Sequence, residues 1–274
     1  MTAAEYLELP APPPLDALIQ CFWFLRGPMA GAEVQSVVPD GRMEIVLHLG
    51  EPFSEVGPDG VARPQADALL AGQLTSPILL LPRGPADVVG IRFRSAGARS
   101  VLGFPCDEVT GRVARLADYG EPLAGALLAA AHRHRPPADR ARALTEVLLR
   151  FVQEEPSALV STAVRHLDRP RALAVGAVAT LLGVSRRTLE RRVLEETGVS
   201  PQMLTRVFRF RRAFRMLDGA PAGTGARVAA TAGYFDQAHL IREFRRFAGA
   251  TPTAFLESDP ALSRAMLARE GTAA

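Results

Sequence analysis

Lysine is absent from this chain of 274 residues: all 32 basic side chains are arginine. Arginine grips guanine edges and phosphates through its two-pronged fork. The bias runs through acidic and basic stretches alike, so it reads mainly as genome composition. Cysteine is nearly absent too, with only Cys21 and Cys106. Two isolated cysteines argue against a disulfide framework, show no metal-like spacing and fit a reducing compartment. No apolar run reaches the roughly 18 residues of a membrane span, and no basic-then-apolar leader opens the chain. The expectation is a cytoplasmic protein with no membrane contact. Also missing are a Gly-x-Ser-x-Gly elbow, any triad-like arrangement of Ser, His and Asp, and a phosphate-cradling glycine loop. The sequence thus gives no support for an enzyme and calls for no cofactor.

What is present is unevenly spread. Residues 1–159 hold 14 Arg against 19 acids, whereas residues 160–260 hold 16 Arg against 9. The formal net charge of +3 hides an acidic first part and a basic second part, and phosphate binding needs the latter. Within the basic part, 226–255 (ARVAATAGYFDQAHLIREFRRFAGATPTAF) reads as a short helix, a turn at Gly233 and a second helix starting near Asp236. Glycine takes positive φ at no steric cost, and Asp236 is a good N-cap. Leu240, Phe244 and Phe247 make one apolar stripe, leaving Gln237, His239, Arg242, Arg245 and Arg246 on the other face. A helix apolar behind and Arg-bearing in front, entered through a tight turn, suits a major groove.

The pattern occurs twice. Ala179, Gly183, Leu189, Val193, Gly198, Pro201 and Leu204 line up with Ala229, Gly233, Leu240, Phe244, Gly249, Pro252 and Phe255, with one extra residue in the second turn. Such a repeat marks a duplicated supersecondary unit. In the first copy Ser185 is the expected N-cap, followed by Arg186, Arg187, Glu190 and Arg191 on the open face. Between the copies, 200–217 has no interior glycine or proline beyond its first turn and predicts a helix of roughly 27 Å. Two reading helices on that spacer could enter major-groove faces about 34 Å apart.

Residues 160–257 resemble the DNA-binding domain of the AraC/XylS family of bacterial transcription regulators. The resemblance rests on AVATLLGVSRRTLERRVLEETGVSPQML and on VAATAGYFDQAHLIREFRRFAGATP. It implies seven helices, two helix-turn-helix units joined by a long helix, and sequence-specific promoter binding. The loop at 217–227 is richer in glycine than the family's usual lead-in, which leaves the start of the next helix open.

The first part has a different texture. Residues 10–14 (PAPPP) form a stiff lead-in, and 15–25, with the only tryptophan, Trp23, suits a short helix or a strand. Strand-like runs follow at 33–38, 43–49, 77–82 and 86–94, punctuated by turns such as Pro39-Asp40-Gly41. Helical patterns then occupy about 96–103, 121–133 and 138–153. The expectation is an antiparallel sandwich or small barrel with appended helices. The fragments VVPDGRMEIVLHLG and VVGIRFRSAGARSVLGFP resemble an N-terminal domain found before such DNA-binding domains, which implies a cupin-like barrel with a small-molecule pocket.

The fold expected is therefore α+β in two domains. Residues 1–155 form a cupin-like effector or dimerisation domain, 156–260 an all-α domain with two helix-turn-helix units, and 261–274 a tail. Base-edge contact is assigned to Arg187, Glu190, Arg191, Gln237, His239 and Arg242, and phosphate contact to Arg186, Arg245 and Arg246. For any one of these the plain alternative is a solvated helix face. Glu190 could accept from cytosine or only steer Arg191 through an ion pair, and Arg209, Arg211, Arg212 and Arg215 suit phosphate or intradomain partners. His48, alone on a strand, suits a core or pocket wall better than a metal site, and His132 and His134 suit a helix end. The partners expected are double-stranded promoter DNA, a small effector, a second copy of the chain, and RNA polymerase if the protein activates. The alternative is a DNA-targeted enzyme, of the repair or cupin type, carrying the same module.

Overall fold

The computed structural model describes residues 4–29, 33–133, 136–221, 223–258 and 260–267. Among them are ten strands: β1 (Glu5–Pro10), β2 (Ile19–Gly27), β3 (Gln35–Val37), β4 (Glu44–His48), β5 (Ser54–Val56), β6 (Ala62–Pro64), β7 (Ala68–Ala71), β8 (Ile78–Leu81), β9 (Ala86–Phe93) and β10 (Val113–Arg115). They form two antiparallel sheets, one in the order β1-β2-β9-β4-β7-β10 and the other β3-β8-β5-β6. Strand side chains alternate between faces, and both faces of the larger sheet are buried. Phe22, Phe24, Ile45, Leu47, Val89 and Ile91 face one way and pack on α1 (Ala98–Leu102), α2 (Ala117–Arg133) and α3 (Pro137–Leu148). Trp23, Leu25, Val46 and Val88 face the other way, against Val37, Ile78 and Leu80 of the smaller sheet and Phe53 just before β5. Gly90 makes this second layer fit, because a Cβ there would lie 1.8 Å from Cε2 of Trp23.

The inner face also carries charge. Arg92 is 1% exposed; its Nε donates to Glu44 at 2.6 Å and its Nη1 to Glu8 at 3.0 Å. Glu44 also accepts from the Trp23 indole at 3.1 Å. Charges that deep persist only when paired and hydrogen-bonded, which the two carboxylates and the indole supply.

The second part is helical: α4 (Ala158–Leu167), α5 (Val175–Leu181), α6 (Arg186–Thr197), α7 (Pro201–Leu217), α8 (Gly225–Ala232), α9 (Gln237–Ala248), α10 (Pro252–Glu257) and α11 (Ala261–Leu267). The first seven match the number that the family resemblance implies. The spine is α7, 17 residues and about 25 Å long at 1.5 Å per residue. Its first half offers Leu204 and Phe208 to α4, α5 and α6. Its second half offers Phe210 and Phe214 to α8, α9 and α10, where Phe210 meets Phe244 edge-on at 5.0 Å. Each such buried ring contributes about 1.5–3 kcal/mol through burial, so the aromatic run of α7 fixes both units on one rod.

The two parts touch at several places, α11 against the strands among them. Arg211 on α7 donates to the carbonyl of Asp40 at 3.0 Å and pairs with Asp168 at 2.7 Å. Gly41 follows at φ +86°, where a Cβ would stand 2.6 Å from the Phe208 ring. At the far end of α6, Thr110 donates to the carbonyl of Gly198, and Arg99 lies 3.7 Å from Glu195.

Several local expectations are revised. The ambiguous segment 15–25 is a 3-10 turn at Leu15–Ala17 followed by β2. The proline lead-in is shorter than expected, since Pro10 closes β1. Strands β1, β5, β6, β7 and β10 lie where no strand is expected from the sequence, and the supposed tail begins with helix α11. His134 lies outside the described residues, as do 268–274.

Candidate nucleic-acid interface

Each reading unit is built from the same local parts. In the first, Val184 N–H donates back to Ala179 at 3.1 Å across Gly183 (φ 68°), and Ser185 Oγ accepts from Thr188 N–H at 3.1 Å. In the second, Tyr234 N–H donates to Ala229 at 2.8 Å across Gly233 (φ 88°), and Asp236 accepts from His239 N–H at 2.6 Å. Both side chains thereby satisfy orphan amides of a first helical turn. Helices α6 and α9 each run 12 residues, and each ends at a left-handed glycine, Gly198 or Gly249. Arg191 and Arg242 are the sixth residue of their respective helices.

The open faces differ in charge pairing. Arg186 donates to Glu190 at 2.8 Å, and Gln202 donates to the same oxygen at 3.1 Å. These two contacts, Arg186 first, hold the Glu190 carboxyl below its ordinary range. Glu190 therefore does not steer Arg191, the ion-pair role considered from the sequence; its partner is Arg186. Arg191 pairs one turn on with Glu195 at 2.9 Å. Exposed pairs one turn apart on a helix contribute little in water.

On α9, Arg242, Arg245 and Arg246 are exposed, and no described residue hydrogen-bonds or pairs with their side chains. Arg187 on α6 is equally free. His239 is half-buried: its Nδ1 accepts from Phe235 N–H at 3.4 Å and its ring meets Tyr234 edge-on. Nδ1 then holds no proton, and Nε2 is the donor left for a ligand. The Gln237 amide lies beside Gly225, where a Cβ would come within 2.7 Å of Nε2.

The arginines of α7 point inward to the protein. Arg206 binds Glu243 through two bonds, 2.9 and 2.6 Å, and Arg209 stacks on Tyr234 at 4.6 Å. Arg212 donates to the Asp168 carbonyl at 2.8 Å. These are intradomain roles, which leaves α6 and α9 as the open arginine faces.

One residue of the interface carries no sequence assignment. Phe235 is 92% exposed, while its neighbour Tyr234 is 5% exposed. It is the extra residue of the second turn, standing between the hydrogen-bonded Tyr234 and the cap Asp236. The break in the repeat's spacing was the available signal for it.

Two capped, arginine-faced helices on a shared rod define a double helix-turn-helix DNA-binding protein. Residues 178–258 match a family model described as a helix-turn-helix domain. The matched stretch is the one whose two motifs resemble the DNA-binding domain of the AraC/XylS family. Residues 7–115 match a model described as a domain of unknown function. No curated protein sequence matches the chain significantly. Among solved structures, the chain is similar to the C-terminal domain of AraT, a response regulator from Geobacillus stearothermophilus (24% identity, TM-score 0.34, 37% of this chain and 86% of that one). It is also similar to unsaturated fatty acid-bound ToxT from Vibrio cholerae (12% identity, TM-score 0.47, 86% and 94%). A third is the DNA-binding domain of AdpA in complex with a target DNA (28% identity, TM-score 0.31, 41% and 95%). Among the described residues no helix is long and apolar enough to cross a membrane, and no cluster of three or more His, Cys, Asp or Glu could hold a metal ion.

Proposed function

We propose that the protein is a cytoplasmic regulator that reads an asymmetric promoter site through α6 and α9 and answers to a small effector held by its barrel. The duplicated pair of capped helices on the rod α7 carries this reading. Arg187 and Arg191 from α6, and Arg242 from α9, contact base edges, with His239 donating from Nε2. Glu190 contributes only after leaving Arg186 and Gln202, whereas Gln237 is exposed at the start of α9. Arg186, Arg245 and Arg246 sit on phosphates, which positions the helices without specifying sequence. Phe235, at the mouth of the second unit, lies against a thymine methyl, the apolar group of the major-groove edge. No catalytic step is included. Alkyl transfer needs a thiolate, and burial pushes the thiols of Cys21 and Cys106 up to about 12. A second copy of the chain and RNA polymerase are the partners expected to join on DNA.

The test is to incubate the full-length protein with sheared genomic DNA of its source at physiological salt and sequence what it retains. A few discrete sites sharing one asymmetric motif, spanning two major-groove segments, are the expected result. Broad retention that vanishes with salt, with and without cell-extract small molecules, would overturn the reading.

A further inference from the structure

The inner face of the barrel encloses a cavity of about 90 Å³, lined by Tyr6, Trp23, Val46 and His48 from the larger sheet and by Phe53 just before β5. Part of its wall comes from the other end of the chain: Leu262, Ala265 and Met266 of α11 line it as well. This helix is held from both sides. Toward the barrel, Ser263 Oγ donates to the Ser36 carbonyl at 2.5 Å, and the buried Arg92 donates to the Met266 carbonyl at 3.4 Å. The latter puts a cation on an orphan carbonyl of a helix C-terminus, where the backbone dipole favours it. Away from the barrel, Arg264 pairs with Asp218 at the end of α7 at 2.8 Å and donates to Leu256 of α10 at 3.1 Å.

The cavity is small with α11 in place. An engineered cavity of about 150 Å³ accepts benzene, and ligand pockets usually measure roughly 300–1,000 Å³. Its chemistry is specific: most of the wall is apolar, Asp40, Arg42 and Glu44 bring charge to one part of it, and His48 carries a buried polar atom with no partner. His48 is 3% exposed; its Nε2 faces Gln65 Oε1 at 3.3 Å, and its Nδ1 has no partner. Burial holds this imidazole below its ordinary range, hence neutral. With Nε2 donating to Gln65, Nδ1 is an unused acceptor, and it asks for a donor.

We propose that this cavity binds a small, mostly apolar alcohol or phenol, whose hydroxyl donates to His48, and that α11 occupies the site until the ligand displaces it. The proposal rests on the effector reading above and adds the ligand's class and its competitor. When α11 leaves, Arg264 is drawn from Asp218 and Leu256, so the joint between α7 and α10 loses its strap. Occupancy of the barrel is thereby passed to the second reading unit through a physical element with two states.

The experiment uses full-length protein carrying Ser263→Cys, a near-isosteric change at a residue with no exposed surface. Leu262→Cys serves in parallel in case the first variant folds poorly. Cys21 and Cys106 are buried, and wild-type protein sets the background labelling. The probe is 1-naphthol, a fused aromatic with one hydroxyl, and its binding is read by energy transfer from Trp23, the only tryptophan. At a concentration about ten times its dissociation constant for the open form, naphthol should speed thiol labelling about tenfold. 1-Methoxynaphthalene, which lacks the donor, should bind about two- to tenfold more weakly, the worth of one hydrogen bond. Energy transfer with labelling unchanged or slowed would overturn the displacement of α11 and leave the effector pocket standing. Equal binding of the two naphthalenes would overturn the hydroxyl requirement. No energy transfer in any variant would overturn the cavity site for this class of ligand, while the effector reading stands or falls with the DNA-retention test.

Discussion

Arg242 offers the sharpest test of how the two helices meet DNA. Its side chain is exposed and no described residue pairs with it, while Leu240, Phe244 and Phe247 anchor the opposite face of α9. Truncating it removes nothing that holds the protein together, so Arg242→Ala should leave stability within about 0.5 kcal/mol. Its DNA contact, if made to a base edge, is worth about 1–3 kcal/mol, a loss of roughly 5- to 150-fold in affinity. Arg191→Ala should cost less, by about 0.3–0.5 kcal/mol, because Arg191 must first leave an exposed pair of that worth with Glu195. By the same reasoning Glu195→Gln should tighten binding about twofold. The assay is fluorescence anisotropy with the retained duplex and its single-base-pair variants over a range of salt. For a base reader, the loss disappears on the duplex whose contacted pair is already changed, and the salt slope stays put. If Arg242→Ala instead weakens every duplex equally and lowers the slope by about 0.9, it is a phosphate contact and the assignment fails.

Phe235→Ala should leave the melting temperature unchanged and cost about 1 kcal/mol of affinity, the worth of a small buried apolar contact; replacing the contacted thymine by uracil should erase the difference, and a persistent loss on uracil DNA would remove the methyl contact. Arg92→Met strands Glu44 in the barrel and should cost about 3–5 kcal/mol, whereas Arg92→Met with Glu44→Leu should recover more than half. Urea unfolding followed by Trp23 emission decides it, and failure to recover would mean the cluster is held by something other than charge pairing. Burial depresses the His48 pKa from 6.5. The unfolded chain therefore takes up this proton at higher pH than the folded one, and stability is lost as pH falls below about 6.5. His48→Gln should flatten that decline, measured as unfolding free energy from pH 7.5 down to about 5.5. An unchanged slope would show that other groups produce it.

The C-terminal architecture was legible because its signals are local. Ser185 and Asp236 cap where a cap was expected, Gly183 and Gly233 turn where a turn was expected, and the apolar stripe of α9 follows helical spacing. The barrel was half legible. In β4, Ile45 and Leu47 face the helices while Val46 and His48 face the cavity, so both faces are buried and the apolar-polar alternation that reveals a strand is lost. Strands β5, β6 and β10 are three residues each, too short to show any period. Helix α11 has no long stripe of its own, and only tertiary contact with the barrel defines it. The open faces of α6 and α9 could be listed from the sequence, but not the pairing of Arg186 with Glu190, because which of several neighbouring carboxylates an arginine takes depends on rotamers.

Asp40 is a residue with two employers. Its carboxylate lies in the cavity wall, 3.9 Å from Arg92, whereas its carbonyl receives Arg211 of the rod α7. At this point the joint between the halves uses a backbone atom, which every amino acid possesses. Evolution could exchange the side chain at this position, and with it the taste of the pocket, while the grip on the DNA-binding half is inherited unchanged. A barrel attached in this way can change its ligand over generations without relearning how to hold its partner domain.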